Sequence, residues 1–144
     1  MPNDSTHRII NYLMLSVFIV ANFYFNVEHD FKIIVVFMIT YVLGTELFSP
    51  DLDTLSKPGK RLGVLSYPIR KLSKHRGMGH NILFGWLLRL LYICMIASFA
   101  LFGANKLGYD FCWILNSIHE DMILPIMAGL LMSNAVHIVA DKIL

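Results

Sequence analysis

Apolar positions fall in long blocks along this chain, separated by short polar stretches. The first block, residues 9–25 (IINYLMLSVFIVANFYF), carries no charge over 17 residues. A helix of that length covers about 25 Å, slightly short of a ~30 Å hydrocarbon core. The second, 33–48, is apolar until Glu46. The third, 82–104, is long enough to span a bilayer but contains Arg89. The fourth, 123–144, is also long enough, and carries Ser133, Asn134, His137, Asp141 and Lys142. The pattern predicts four helices, with spans at about 9–25, 31–48, 82–104 and 123–143 and a polar connection at 49–81. Length alone leaves the second block open to a buried helix of a soluble bundle.

Composition favours the membrane. The 144 residues suffice for one domain, and 56% are hydrophobic against 15% charged. Mean hydropathy is +0.61. Four such blocks leave little polar surface for a soluble fold. The expectation is an all-α, polytopic membrane protein forming one helical domain over residues 1–144. "MPNDSTHR" is a weak basic start and no small-x-small cleavage site follows it, so the first block reads as a span rather than a signal peptide. Cys94 and Cys112 lie 18 apart without a C-x-x-C pattern. Buried inert thiols fit them better than a disulfide or thiolate metal site.

Charge then orients the spans. Segment 49–81 holds Lys57, Lys60, Arg61, Arg70, Lys71, Lys74 and Arg76 against Asp51 and Asp53, a net of +5. The connections at 26–30 and 105–122 are acidic or nearly neutral. The positive-inside rule places the central loop in the cytoplasm, and with four spans both termini as well. Within the loop, "SKPGKRLG" reads as a turn broken by Pro58 and Gly59. "LSYPIRKLSKHR" sets Leu65, Ile69 and Leu72 at helical spacing opposite a basic face, as in a short amphipathic helix on an anionic leaflet. No aromatic-studded basic face accompanies these charges, so nucleic acid is not an expected partner.

With that topology the chemistry-bearing residues gather at one pole. His7 precedes the first span, Glu46, Asp51 and Asp53 end the second, His75, Arg76 and His80 precede the third, and His137 and Asp141 close the fourth. His137 and Asp141 (HIVAD) are four apart and share a helix face, suiting two ligands of one metal or a ligand and its orienting carboxylate. A solvated helix end is the plainer reading. Within a span, however, an ionisable group costs ~2.5–3.5 kcal/mol on insertion scales and usually faces a partner or water.

Pro50 disfavours helix at Ser49, so the second helix ends there and Asp51 and Asp53 can converge from a turn. An aspartate-rich cap is the alternative. His75 and His80 (HRGMGH) are five apart, a poor spacing for one face, but Gly77 and Gly79 permit the backbone to turn. Interfacial anchoring is their alternative. Arg76 can clamp a phosphate or carboxylate, or simply follow the topology. Glu46 either stands behind the ligands or pairs with Arg89. For Arg89, a buried ion pair is favoured over contact with a substrate anion.

In this order the motifs resemble a family. "GTELFSPDLDTLSKPGKRLGVLSYPIRKLSKHRGMGH" followed by "HIVAD" is similar to uncharacterised integral-membrane metal-binding proteins, related to inner-membrane metal-dependent hydrolases of the LexA-regulated type. The family pattern is an early histidine, P-D-x-D after a span, H-R-(G/S)-x-x-H before another and H-x-x-x-D near the end. It falls here on His7, Asp51, Asp53, His75, Arg76, His80, His137 and Asp141. Asn81 departs from it, standing where the hydrolases often have serine.

Four histidines and three aspartates without cysteine suit zinc, with manganese or iron as alternatives. Seven ligands exceed the needs of one tetrahedral ion, so one or two ions are expected. Two-metal centres serve mainly phosphoester hydrolysis. The expected function is therefore a metal-dependent, phosphoesterase-like hydrolase, with Arg76 as the catalytic anion-positioning residue. Its expected partners are membrane lipid and an amphipathic phosphoester at the inner-leaflet headgroups of a bacterial or archaeal cytoplasmic membrane. The rival is a non-catalytic metal protein: a structural site, a sensor or a transporter.

Overall fold

A computed structural model describes residues 4–28, 30–50, 57–72, 82–110 and 119–143. Among them the protein is all-α. The elements are α1 (Asp4–Phe25), α2 (Phe31–Glu46), α3 (Lys57–Leu62), a 3₁₀ turn (Gly63–Ser66), α4 (Tyr67–Leu72), α5 (Ile82–Lys106) and α6 (Glu120–Ile143). The stretches Ser5–Phe25, Gly85–Lys106 and Glu120–Ile143, in α1, α5 and α6, are long and apolar enough to cross a membrane. At 16 residues α2 is shorter, about 24 Å of helix.

Local chemistry sets the helix ends. Asn26 takes a left-handed φ of 49°, and the Val27 amide donates to the Asn22 carbonyl at 3.2 Å, closing α1 with a Schellman motif. The Asn22 side chain clasps the Glu28 backbone from both sides, at 3.1 Å each way. Asp30 caps α2 by accepting from the Lys32 amide at 2.8 Å. Gly108, at φ 85°, closes α5 in the same manner as Asn26 closes α1. Glu120 and Asp121 set negative charge on the first turn of α6, where the helix dipole favours it.

The central connection departs from the sequence reading. Pro58 and Gly59 do not break a turn; they lie inside α3, where proline near a helix start forfeits no intrahelical bond. The break falls at Gly63, with φ 53°. Leu65 belongs to the 3₁₀ turn rather than to a helix shared with Ile69 and Leu72. The Tyr92 hydroxyl donates to the Leu65 carbonyl, and Leu62 packs with Ile96 against Tyr92, so this connection lies against α5.

Among the described residues the most extensive packing joins α2 to α6. It depends on small residues. A Cβ on Gly129 would lie 2.7 Å from the Phe37 carbonyl oxygen and 2.9 Å from the Tyr41 nitrogen, and a Cβ on Gly44 would strike the Ser133 hydroxyl. Such pairs let helix backbones approach closely. Gly129→Ala is expected to cost about 1–3 kcal/mol, because backbone atoms cannot yield to the new methyl as a side chain would. Denaturant unfolding followed by helical circular dichroism measures it; an unchanged midpoint would show that the approach is not needed.

Polar groups fill the interior. His7, Asn11, Thr45, Ser49, Arg89, Ser133, Asn134 and His137 are buried, beside few apolar residues such as Tyr41, Leu130 and Ile138. The outward faces carry exposed apolar side chains, including Val20, Phe99 and Leu124, at 68–75% exposure.

Candidate metal centre

Three of the sequence candidates meet where α1 begins and α6 ends. The first turns of α1 carry His7, and the last turns of α6 carry His137 and Asp141. His7 Nε2 lies 3.2 Å from Asp141 Oδ1, and His137 Nε2 lies 3.6 Å from Asp141 Oδ2. The two imidazoles stack with centroids 4.2 Å apart and planes 22° from parallel. One donor atom from each of the three residues lies within 4.8 Å of the others, and both histidines are buried.

This donor set fits a divalent metal. A tetrahedral ion with bonds of 2.0–2.1 Å separates its ligand atoms by about 3.3 Å. The two nitrogen–oxygen distances bracket that value. Each carboxylate oxygen addresses a different imidazole, and a carboxylate largely withdrawn from water, here 17% exposed, needs a cation or strong donors to offset its lost hydration. A protonated imidazole could meet that need as well, so the geometry by itself admits a structural ion pair.

The surroundings tie α2 and α5 to the same place. Ser49 Oγ lies 3.4 Å from His137 Nδ1, which leaves Nε2 turned toward Asp141. Fixing one ring nitrogen in this way orients the other toward a metal. Arg89, 5% exposed, donates from Nε to the Gly85 carbonyl at 2.7 Å and from Nη1 to the Phe48 carbonyl at 3.0 Å. It thereby holds the exit of α2, one residue before Ser49. Both of these are backbone contacts, and Glu46, weighed from sequence as a partner for Arg89, is engaged by other residues. It accepts from Arg8 Nε at 2.7 Å, from the Tyr12 hydroxyl at 2.6 Å and from Arg61.

Asp51, Asp53, His75, Arg76 and His80 lie outside the described residues. Ser49, Arg8, Asn11 and Tyr41 were not singled out by sequence reading, yet they frame the centre. Asn11 donates to the His7 carbonyl at 3.1 Å, and the Tyr41 hydroxyl contacts the Asn11 carbonyl at 3.1 Å and its side-chain oxygen at 3.2 Å. The available signal was spacing: Asn11 follows His7 by four residues, and Tyr12 follows Arg8 by four.

Comparison with known proteins supports a metal-binding role for the chain as a whole. Residues 2–144 match the family model described as "Uncharacterized metal-binding protein (DUF2227)". The chain belongs to this family. An uncharacterised protein of Aquifex aeolicus is 42% identical over 71 residues, which cover 46% of this chain and 49% of the relative. The match thus spans about half the length of that curated relative. No solved structure matches the chain. A metal-binding role is therefore the family's, and the His7–His137–Asp141 cluster is a candidate place for it among the described residues. The hydrolase relation drawn from the motifs gains no support from these matches.

Proposed function

We propose that this protein is a membrane-embedded, metal-dependent hydrolase of phosphoesterase type, acting on an amphipathic phosphoester at the inner-leaflet headgroups. The observation that carries the reading is the His7–His137–Asp141 donor set, its two histidines buried, at one end of helices with outward apolar faces. In this reading the helices at 4–25, 31–46, 82–106 and 120–143 are four spans of a cytoplasmic membrane, with both termini inside. Asp51, Asp53, His75 and His80 complete the ligand set, for one or two ions of zinc, manganese or iron. Ser49 supports the placement of the aspartates, since it reaches His137 and precedes Asp51 by two residues, at most about 7 Å of extended chain.

A divalent ion held there would polarise a phosphoryl oxygen and lower the pKa of water. The remaining work belongs to the chain. Asp141 orients both imidazoles, Ser49 fixes the His137 ring, and Arg76 binds the substrate anion in a two-pronged contact. The apolar flanks keep the centre at the level where lipid headgroups pass.

One observation favours a non-catalytic alternative. The described ligands come from α1 and α6, so an ion between them would staple the first helix to the last. Metal analysis of the detergent-purified chain, beside His80→Ala and Asp53→Ala, tests the ligand set. Stoichiometric transition metal is expected in the wild type, with less in each variant; none after metal-replete expression would sink the reading. Incubation with mixed phospholipids and mass spectrometry then separates enzyme from staple. Product from at least one headgroup class is expected, whereas no product from any of them leaves the staple.

A further inference from the structure

We infer that Glu46 is a positioning residue for the metal centre, acting through Arg8 to aim His7; this rests on the metal reading above. The argument begins with the roll of α1. Successive residues of a helix are turned by about 100°, so His7 and Asn11 share one face while Arg8 and Tyr12 share the next. Both faces are pinned to α2. On the first, the Tyr41 hydroxyl contacts Asn11 at 3.1 and 3.2 Å, and Asn11 in turn donates to the His7 carbonyl. On the second, Glu46 Oε1 accepts from Arg8 Nε at 2.7 Å and from the Tyr12 hydroxyl at 2.6 Å.

Two anchors on adjoining faces fix a rotation that one anchor would leave loose. That rotation decides whether His7 Nε2 meets Asp141. The anchor point is itself rigid, because α2 is seated against α6 through Gly44 and Gly129. The carboxylate of Glu46 is largely buried, at 16% exposure, while Arg8 is 35% exposed. A charge-assisted contact of this geometry is directional and stronger than a neutral one. The other carboxylate oxygen takes Arg61 of α3. One side chain on α2 thus holds the helix that carries His7 and the chain that returns after the Asp51–Asp53 motif.

Co²⁺ titration of the full chain in detergent tests this, comparing wild type, Glu46→Gln, Arg8→Met and the double variant. Each single substitution is expected to weaken Co²⁺ about 10- to 100-fold, the range found when groups that orient metal ligands are removed. The double variant should lose no more than the weaker-binding single, because both changes break one contact. The visible bands of bound Co²⁺ should also shift as His7 leaves the ion, a signature that mere destabilisation does not produce. Affinity within twofold of wild type in either single variant overturns the inference, and so do multiplicative losses in the double. If Glu46→Gln does not fold, Arg8→Met alone decides, since it alters the more exposed end of the contact. Failure of the wild type to bind Co²⁺ would instead overturn the metal reading itself.

Discussion

Replacing His137 by alanine is expected to strip stoichiometric metal from the purified protein, with affinity falling by more than about 100-fold. The expectation exceeds the 10- to 100-fold typical of groups that merely orient ligands, because His137 would be a ligand itself. Its Nε2 lies 3.6 Å from Asp141 and its ring stacks on His7, so its loss removes one donor and the support of another. Asp141→Asn should act similarly while keeping side-chain shape, because the amide no longer offers an anionic oxygen to either imidazole. Chelator competition followed by metal analysis measures both. Full metal content in both variants would place the ion elsewhere and leave the three residues as an ion-pair cluster.

The second large effect is on stability. An ion that binds only the folded chain stabilises it by an amount set by its concentration relative to Kd, about 4.1 kcal/mol at 1,000 times Kd. Because His7 belongs to α1 and His137 and Asp141 to α6, that stabilisation would act on the contact between those helices. Chelation is expected to lower the unfolding midpoint of the wild type, and to leave His137→Ala, which has no metal-dependent increment, where it was. Denaturant titrations with and without chelator, followed by helical circular dichroism, provide the comparison. A midpoint indifferent to chelation in a metal-loaded wild type would rule out the staple.

Much of this architecture was legible in the order of residues. Apolar blocks gave the four long helices, and Pro50 marked the end of α2 close to where the helix stops at Glu46. The i, i+4 spacing of His137 and Asp141 put both on one face, and the topology argument brought His7 to the same pole. Glu46 was less legible. Its choice of Arg8, Tyr12 and Arg61 over Arg89 depends on how α1 and α5 sit around α2, which local spacing does not encode. The central connection failed for another reason. Proline and glycine punctuate a chain strongly, but Pro58 falls at the start of α3, where it is tolerated, and the break moved to Gly63. The Asn11–Tyr41 lock was hidden because a polar side chain inside an apolar block announces that it has a partner without saying which one.

The separation of His7 from His137 along the chain carries a consequence for biosynthesis. The two imidazoles stack in the folded protein, yet nearly the whole chain is made between them. Contacts between distant residues form late and slowly. The His7 imidazole must therefore wait, through the synthesis of every intervening helix, for the partners that α6 supplies. If this cluster is the metal centre, acquisition of the ion there would be a post-translational event. A nascent chain arrested before α6 would offer its early ligands to whatever ion or chaperone reached them first.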